Sequence, residues 1–228
     1  MAGMPKPPRI AVGGVVYHVL NRANGRAKIF FEQGDYAAFE RVLAKALDRT
    51  PMRLLSYCLM PNHWHLVLWP RDDGDLSRFM GWLTLTHAAR WQAAHGTVGW
   101  GHLYQGRFKS FPVQTDAHFL TVCRYVERNA LRAGLVAKAE DWRWGSLWGR
   151  RHGDVESKAL LSAWPVAIPA NWLKFVNQPM REAELMDIRD CVNRGRPYGT
   201  EAWIRTAAAR LGLESTLRPR GRPMKQRR

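Results

Sequence analysis

Acidic residues are scarce in this chain, cysteines are fewer still, and no long apolar run interrupts it. Nineteen Asp and Glu face thirty-five Lys and Arg over 228 residues, which leaves a formal charge of +16. A field of that sign favours nucleic acid or an anionic membrane surface. Three cysteines, Cys58, Cys123 and Cys191, are odd in number and far apart, with no C-x-x-C pair. That excludes a disulfide framework and a cysteine zinc site, and it predicts a reducing, cytoplasmic setting. No stretch approaches the roughly 18 consecutive apolar residues of a spanning helix. The opening MAGMPKPPRIAVGG lacks the apolar block of a signal peptide. Nucleic acid is therefore the better partner, with no membrane role. The sequence also holds no G-x-x-x-x-G-K-[ST] loop, so no ATP-phosphate cradle is indicated.

Eleven tryptophans stand out among the residues that are present. Some belong to a core; that many also supply flat faces on which bases can stack. After a Pro-rich lead, VVYHVLNR (15–22) reads as a strand ending in the loop Ala23-Asn24-Gly25-Arg26. Apolar residues recur at helical spacing from Gly34 to Arg49, with Pro51 just past the end. MRLLSYCLM (52–60), the turn pair Pro61-Asn62 and HWHLVLW (63–69) make a hairpin. A second amphipathic helix spans about Leu76 to His95, with Asp75 as its cap. The loop GTVGWGH leads to a fourth strand, RFKSFPV (107–113). Thr115 or Asp116 then caps a third helix running to about Ala133, stopped by Gly134.

The order β-α-β-β-α-β predicts an α+β, ferredoxin-like split arrangement. Its sheet is expected to be mixed but mainly antiparallel, with helices on one face and the other free for a ligand. Residues 1–140 form the expected catalytic domain. Residues 141–228 read as a basic, Trp/Arg-rich helical extension, with helical patterns at 181–193 and 200–211 and a tail disordered when free. One short repeat recurs in it: Arg194-Gly195-Arg196-Pro197 and Arg220-Gly221-Arg222-Pro223.

Alternation along the third strand points His63 and His65 to one face, with Trp64, Leu66 and Leu68 under the helices. Two neutral imidazoles side by side suit one divalent cation. A pair of surface histidines bonded to neighbours meets so short a pattern as well. On the third helix Tyr125 and Asn129 are one turn apart and share a face. Alone, each reads as a core tyrosine and a surface amide. Together with the histidines they make a set with chemical sense. An amide oxygen completes a His-His-Asn site for Mg²⁺ or Mn²⁺, and a phenol nearby attacks phosphorus in line.

LMPNHWHLVLW, preceded by YHVLNRANGR and followed by YQGRFKS and YVERNALRAGLV, resembles the single-tyrosine HUH transposases of the IS200-like type. The longer match, with its C-terminal extension, resembles their REP-associated tyrosine transposase branch. The resemblance is dense over about residues 9–148 and implies that His63, His65 and Asn129 are metal ligands and Tyr125 the nucleophile. It further implies cleavage of single-stranded DNA beside a hairpin of palindromic repeats, leaving a 5′-phosphotyrosyl link and a free 3′-OH that can rejoin strands. One departure is Asn129-Ala130, where the family commonly has Asn-Pro. Insertion-sequence relatives exchange the tyrosine helix in dimers whereas REP-associated ones act as monomers, so a monomer associated with the nucleoid is expected.

Asn21, Arg22, Asn24 and Arg26, with Tyr104, Gln105, Arg107 and Lys109, fall in regions that lie along the DNA path in the family. Cations neutralise phosphates there while unpaired bases stack on aromatic rings. Arg194, Arg196, Arg220 and Arg222 of the duplicated RGRP either enter a minor groove or act as a generic basic tail; the resemblance offers a third reading, in which the extension covers the active site. Two other functions fit the same residues: a hairpin-binding protein without catalysis, and an autonomous insertion-sequence transposase.

Overall fold

A computed structural model describes residues 11–218. Four strands, β1 (Val16–Arg22), β2 (Met52–Met60), β3 (His63–Pro70) and β4 (Lys109–Val113), form one sheet in the order β2-β3-β1-β4. Helix α1 (Gln33–Arg49) joins β1 to β2, and α2 (Asp75–Ala94) joins β3 to β4. The element order is the predicted one. The sheet is antiparallel throughout rather than mixed. Each helical crossover joins strands that run the same way but are not neighbours, because the two-residue turn at Pro61-Asn62 inserts β3 between β1 and β2.

Alternation divides the strands between two cores. Tyr17, Val19, Leu54, Leu59, Trp64, Leu66 and Leu68 pack under Phe39 and Leu43 of α1 and Phe79 and Leu83 of α2. The opposite face carries Val16, Cys58, Met60, Val67, Phe111 and Val113, which is too apolar to stay open. It is covered by α3 (Ala117–Glu127) and by C-terminal elements, so helices lie on both faces instead of one. Beyond the short α5 (Ser146–His152) and α6 (Val155–Ala159), Trp172 and Val176 of α7 (Trp172–Asn177) and Leu185, Ile188 and Cys191 of α8 (Glu182–Arg194) share this second core. Both sheet edges are also covered from beyond residue 141. Leu59 N donates to Trp144 O at 2.9 Å beside β2, and Tyr198 N donates to Pro112 O at 2.9 Å beside β4.

Three local expectations differ. Asp75 is the first residue of α2 and wholly buried; the chain enters that helix through Gly74 at φ 81, and Asp75 accepts from Asp72 N at 2.8 Å. Strand β4 begins at Lys109, leaving Arg107 in the loop after Gly106 at φ 151. The tyrosine helix, capped by Asp116 as expected, breaks at Arg128 (φ −83, ψ −4), and a short α4 (Asn129–Arg132) follows. Arg128 N still reaches Arg124 O at 2.9 Å, so the axis bends rather than stops, and the Arg128 guanidinium is held by Asn177 O at 3.2 Å.

Candidate active site

On the second face of the sheet, β1 and β3 pair so that Arg22 lies opposite His63, Leu20 opposite His65, and His18 opposite Val67. His18, Leu20 and Arg22 therefore share a face with the histidine pair. Packing of Phe119, Val122 and Val126 against this face lays Tyr125 across it. The Tyr125 ring meets His65 edge-on at 5.6 Å between centroids and His18 at 6.2 Å. A cleft of about 700 Å³ opens beside them, with His63, His65 and Tyr125 in its wall. Five cations also line it: Arg22, Arg107, Lys109, Arg132 and Arg189. No carboxylate does. Such a wall attracts phosphate.

Burial keeps these imidazoles neutral. It pulls His18 down to about 3 and His63 to about 4, with Arg22 and Arg132 adding a smaller push on His63. His65 is driven well below its usual value by burial first and then by His63 and His18. Hydrogen bonds engage one nitrogen of each ring of the pair: His63 Nδ1 with Asn62 Oδ1 at 2.6 Å, and His65 Nδ1 with His18 Nε2 at 2.9 Å. Asn62 Oδ1 only accepts, so His63 carries its proton on Nδ1 and leaves Nε2 bare. Two neutral imidazoles, one with its Nε2 lone pair uncommitted, fit a divalent cation.

Asn129 sits at the start of α4, buried, and is absent from the cleft wall. The break at Arg128 precedes it, and its Oδ1 accepts from Arg132 at 2.9 Å, while Nδ2 is buried without a partner. The orphaned atom is a donor; the oxygen that could ligate a cation is the one Arg132 holds. Among the described residues no three His, Cys, Asp or Glu side chains gather in a metal-binding group.

Of the residues expected along a DNA path, Asn21, Arg22, Gln105, Arg107 and Lys109 line the cleft. Asn24 and Arg26 occupy an exposed turn outside it. Tyr104 is turned to the other core: it is buried, accepting from Trp64 Nε1 at 3.0 Å and bonded to His87 Nδ1 at 2.7 Å. Arg194 pairs with Asp190 at 3.9 Å and donates to the carbonyl of Arg218. The first RGRP copy is folded rather than extended, because Gly195 at φ 73 ends α8. Arg196 keeps a buried Nε without a partner. Arg220 and Arg222 lie outside the described residues.

Three wall residues, Arg132, Arg189 and Asn193, had no sequence signal, and neither had His18, buried behind His65. His18 is two residues from Leu20 on the strand opposite the pair, which only the register reveals. Arg189 and Asn193 stand four apart on α8, and Lys109 Nζ donates to Asn193 Oδ1 at 3.3 Å, joining the extension to β4 across the cleft. Of the eleven tryptophans only Trp100 is exposed, at 83%, on the loop before β4.

The family described as "Transposase IS200 like" matches residues 11–129, just over half of the chain. The chain belongs to this family. The match ends at Asn129 and includes both histidines and Tyr125. Among solved structures, the chain is similar to a REP-associated tyrosine transposase bound to a REP hairpin. Identity is 18%, with 78% of this chain and 99% of that one covered, at a TM-score of 0.52. A Deinococcus radiodurans protein described as a candidate transposase is 19% identical over 54% of this chain and 96% of its own, at a TM-score of 0.40. The first likeness shows a common fold extending past the family's matched segment. No curated protein matches the chain. No helix among the described residues is long and apolar enough to cross a membrane.

Proposed function

We propose that this IS200-like transposase cleaves and rejoins single-stranded DNA beside hairpins of palindromic repeats through a 5′-phosphotyrosyl intermediate on Tyr125. The observation that carries this reading is the meeting of Tyr125 with His63 and His65 in one cationic cleft, at 5.6 Å from the His65 ring. Arg22, Arg107, Lys109, Arg132 and Arg189 hold the strand by its phosphates. Arg132, 5.3 Å from the Tyr125 ring, sets positive charge beside the phosphate that reaches the tyrosine.

The Tyr125 phenol oxygen then attacks phosphorus, the bond to O3′ breaks, the phenol proton is lost, and the leaving 3′ oxygen takes up a proton. A 3′-OH attacking the phosphotyrosyl phosphorus reverses this and releases the tyrosine. The phosphodiester energy is kept in the covalent link, so no nucleotide triphosphate is needed. His63 and His65 would hold Mg²⁺ or Mn²⁺, with Asn129 as the amide completing the set. When bound, the cation polarises the scissile phosphate and offsets charge developing on its oxygens. Exposed Trp100 offers a stacking surface for an unpaired base.

The fold shared with a REP-associated transposase that binds a REP hairpin supports hairpin DNA as the substrate. A monomer working in the cytoplasm, close to the nucleoid, fits this reading. Hairpin oligonucleotides from the repeats flanking its gene, labelled at either end and incubated with Mg²⁺ or Mn²⁺, test it. Cleavage at one position at the hairpin foot, with religated products on adding a second strand, is expected. Tight binding with intact strands under every metal would leave a hairpin-binding protein instead.

A further inference from the structure

We propose that His18 is a positioning residue for the histidine pair: it accepts a hydrogen bond from His65 Nδ1–H and so holds His65 in the tautomer whose Nε2 lone pair is free. The inference rests on the proposed reading of His63 and His65 as a cation site, and it goes beyond that reading by assigning a task to a third histidine. The geometry is specific. His18 is diagonal to His65 across the β1–β3 pair, both rings are buried, and His18 Nε2 lies 2.9 Å from His65 Nδ1. Phe111 packs against His18 at 4.8 Å and Tyr125 meets its edge at 6.2 Å, so the ring has little freedom to turn away.

Two neutral imidazoles share one proton in such a bond, and only two arrangements exist. If His18 Nε2 donated, His65 would carry its own proton on Nε2 and could not ligate a cation. If His65 Nδ1 donates, Nε2 is bare. The cleft selects the second. With Nδ1 turned to His18, Nε2 is the nitrogen left toward a wall that also holds Arg22 and Arg132, and a positive surrounding favours a lone pair over an N–H there. His63 reaches the same state by a different partner, Asn62 Oδ1 at 2.6 Å. Both members of the pair then present Nε2, one set by the hairpin turn and one by the neighbouring strand. Ligating histidines commonly depend on such an acceptor behind the ring.

The test uses the full chain, ¹⁵N-labelled and free of metal, with imidazole nitrogens read by long-range ¹H–¹⁵N correlation and assigned through His65→Asn. Wild type should show His65 protonated on Nδ1 alone. His18→Phe, which keeps the ring volume and removes the acceptor, should release His65 into a mixture or into the Nε2–H form. His18→Gln, which returns an acceptor oxygen, should restore the single form. Calorimetric titration with Mn²⁺ is the second readout. His18→Phe should bind about 10- to 100-fold more weakly than wild type, and His18→Gln should fall within a few-fold of wild type. A wild-type His65 protonated on Nε2 would overturn the inference. So would an Mn²⁺ affinity that His18→Phe leaves unchanged while His63→Ala abolishes it. If wild type and His63→Ala take up Mn²⁺ equally, the cation reading itself fails, and the tautomer of His65 still decides the role of His18.

Discussion

Several side chains here are defined by being buried without a charge partner, and this has measurable consequences at the level of single residues. His87, on the inner face of α2 and against Phe39 of α1, is bonded to Tyr104, and burial lowers its pKa to about 4. In the unfolded chain an ordinary histidine takes up a proton near pH 6.5. Between about 6.5 and 4 the unfolded state therefore binds more protons than the folded one, and stability falls as pH falls through that window. The shift from 6.5 to about 4 corresponds to at most about 3 kcal/mol from this residue. Urea unfolding across pH 7 to 4 should show that loss in wild type and a shallower slope in His87→Phe; identical slopes would contradict the assignment. His18 and His63 are depressed in the same direction, so part of the slope should survive in that variant.

The element that matters most is the tyrosine helix, and the C-terminal region grips it. Glu127, fully buried near its end, accepts from Ser146 Oγ and Trp172 Nε1, each at 2.8 Å, and burial raises its pKa. Arg124 donates to the carbonyls of Gln178 and Pro179 at 2.9 and 3.0 Å. Glu127→Ala would strand two buried donors, which predicts a loss of about 2–4 kcal/mol by urea unfolding; a change below about 0.5 kcal/mol would mean the network is not structural. Helix α3 is thereby fastened within its own chain. Mixing Tyr125→Phe with His63→Ala should not restore strand cleavage, and recovery of activity on mixing would show that helices are exchanged. The strands and the helices α1, α2 and α8 were legible because period 2 and period 3.6 are written in consecutive residues. The break at Arg128 was not, since Arg128-Asn129-Ala130 holds neither Gly nor Pro and the bend depends on a carbonyl 49 residues away. His63, His65 and Tyr125 were readable from spacing and motif. Their meeting with His18 and Arg189 was not, because it depends on strand register and on how α8 packs.

At the scale of the whole molecule, a strongly basic chain concentrates its function in one cleft built jointly by the sheet and the C-terminal extension. Arg189 and Asn193 place that extension in the wall, so removing α8 would open the site as well as the second core. Trp100 belongs to this scale too, as the one tryptophan not committed to packing. Trp100→Ala should weaken binding of a single-stranded oligonucleotide about tenfold with little effect on a blunt duplex, read by fluorescence anisotropy; equal weakening of both would assign it to general attraction. Whether Tyr125 is the nucleophile is read from a trapped protein–DNA adduct. Wild type incubated with its hairpin substrate and Mn²⁺ would be digested and the modified peptide sequenced by mass spectrometry. A nucleotide phosphate on Tyr125 is expected, not formed when EDTA is present from the start and absent from Tyr125→Phe. An adduct on any other residue, or cleavage that persists in Tyr125→Phe, would contradict it.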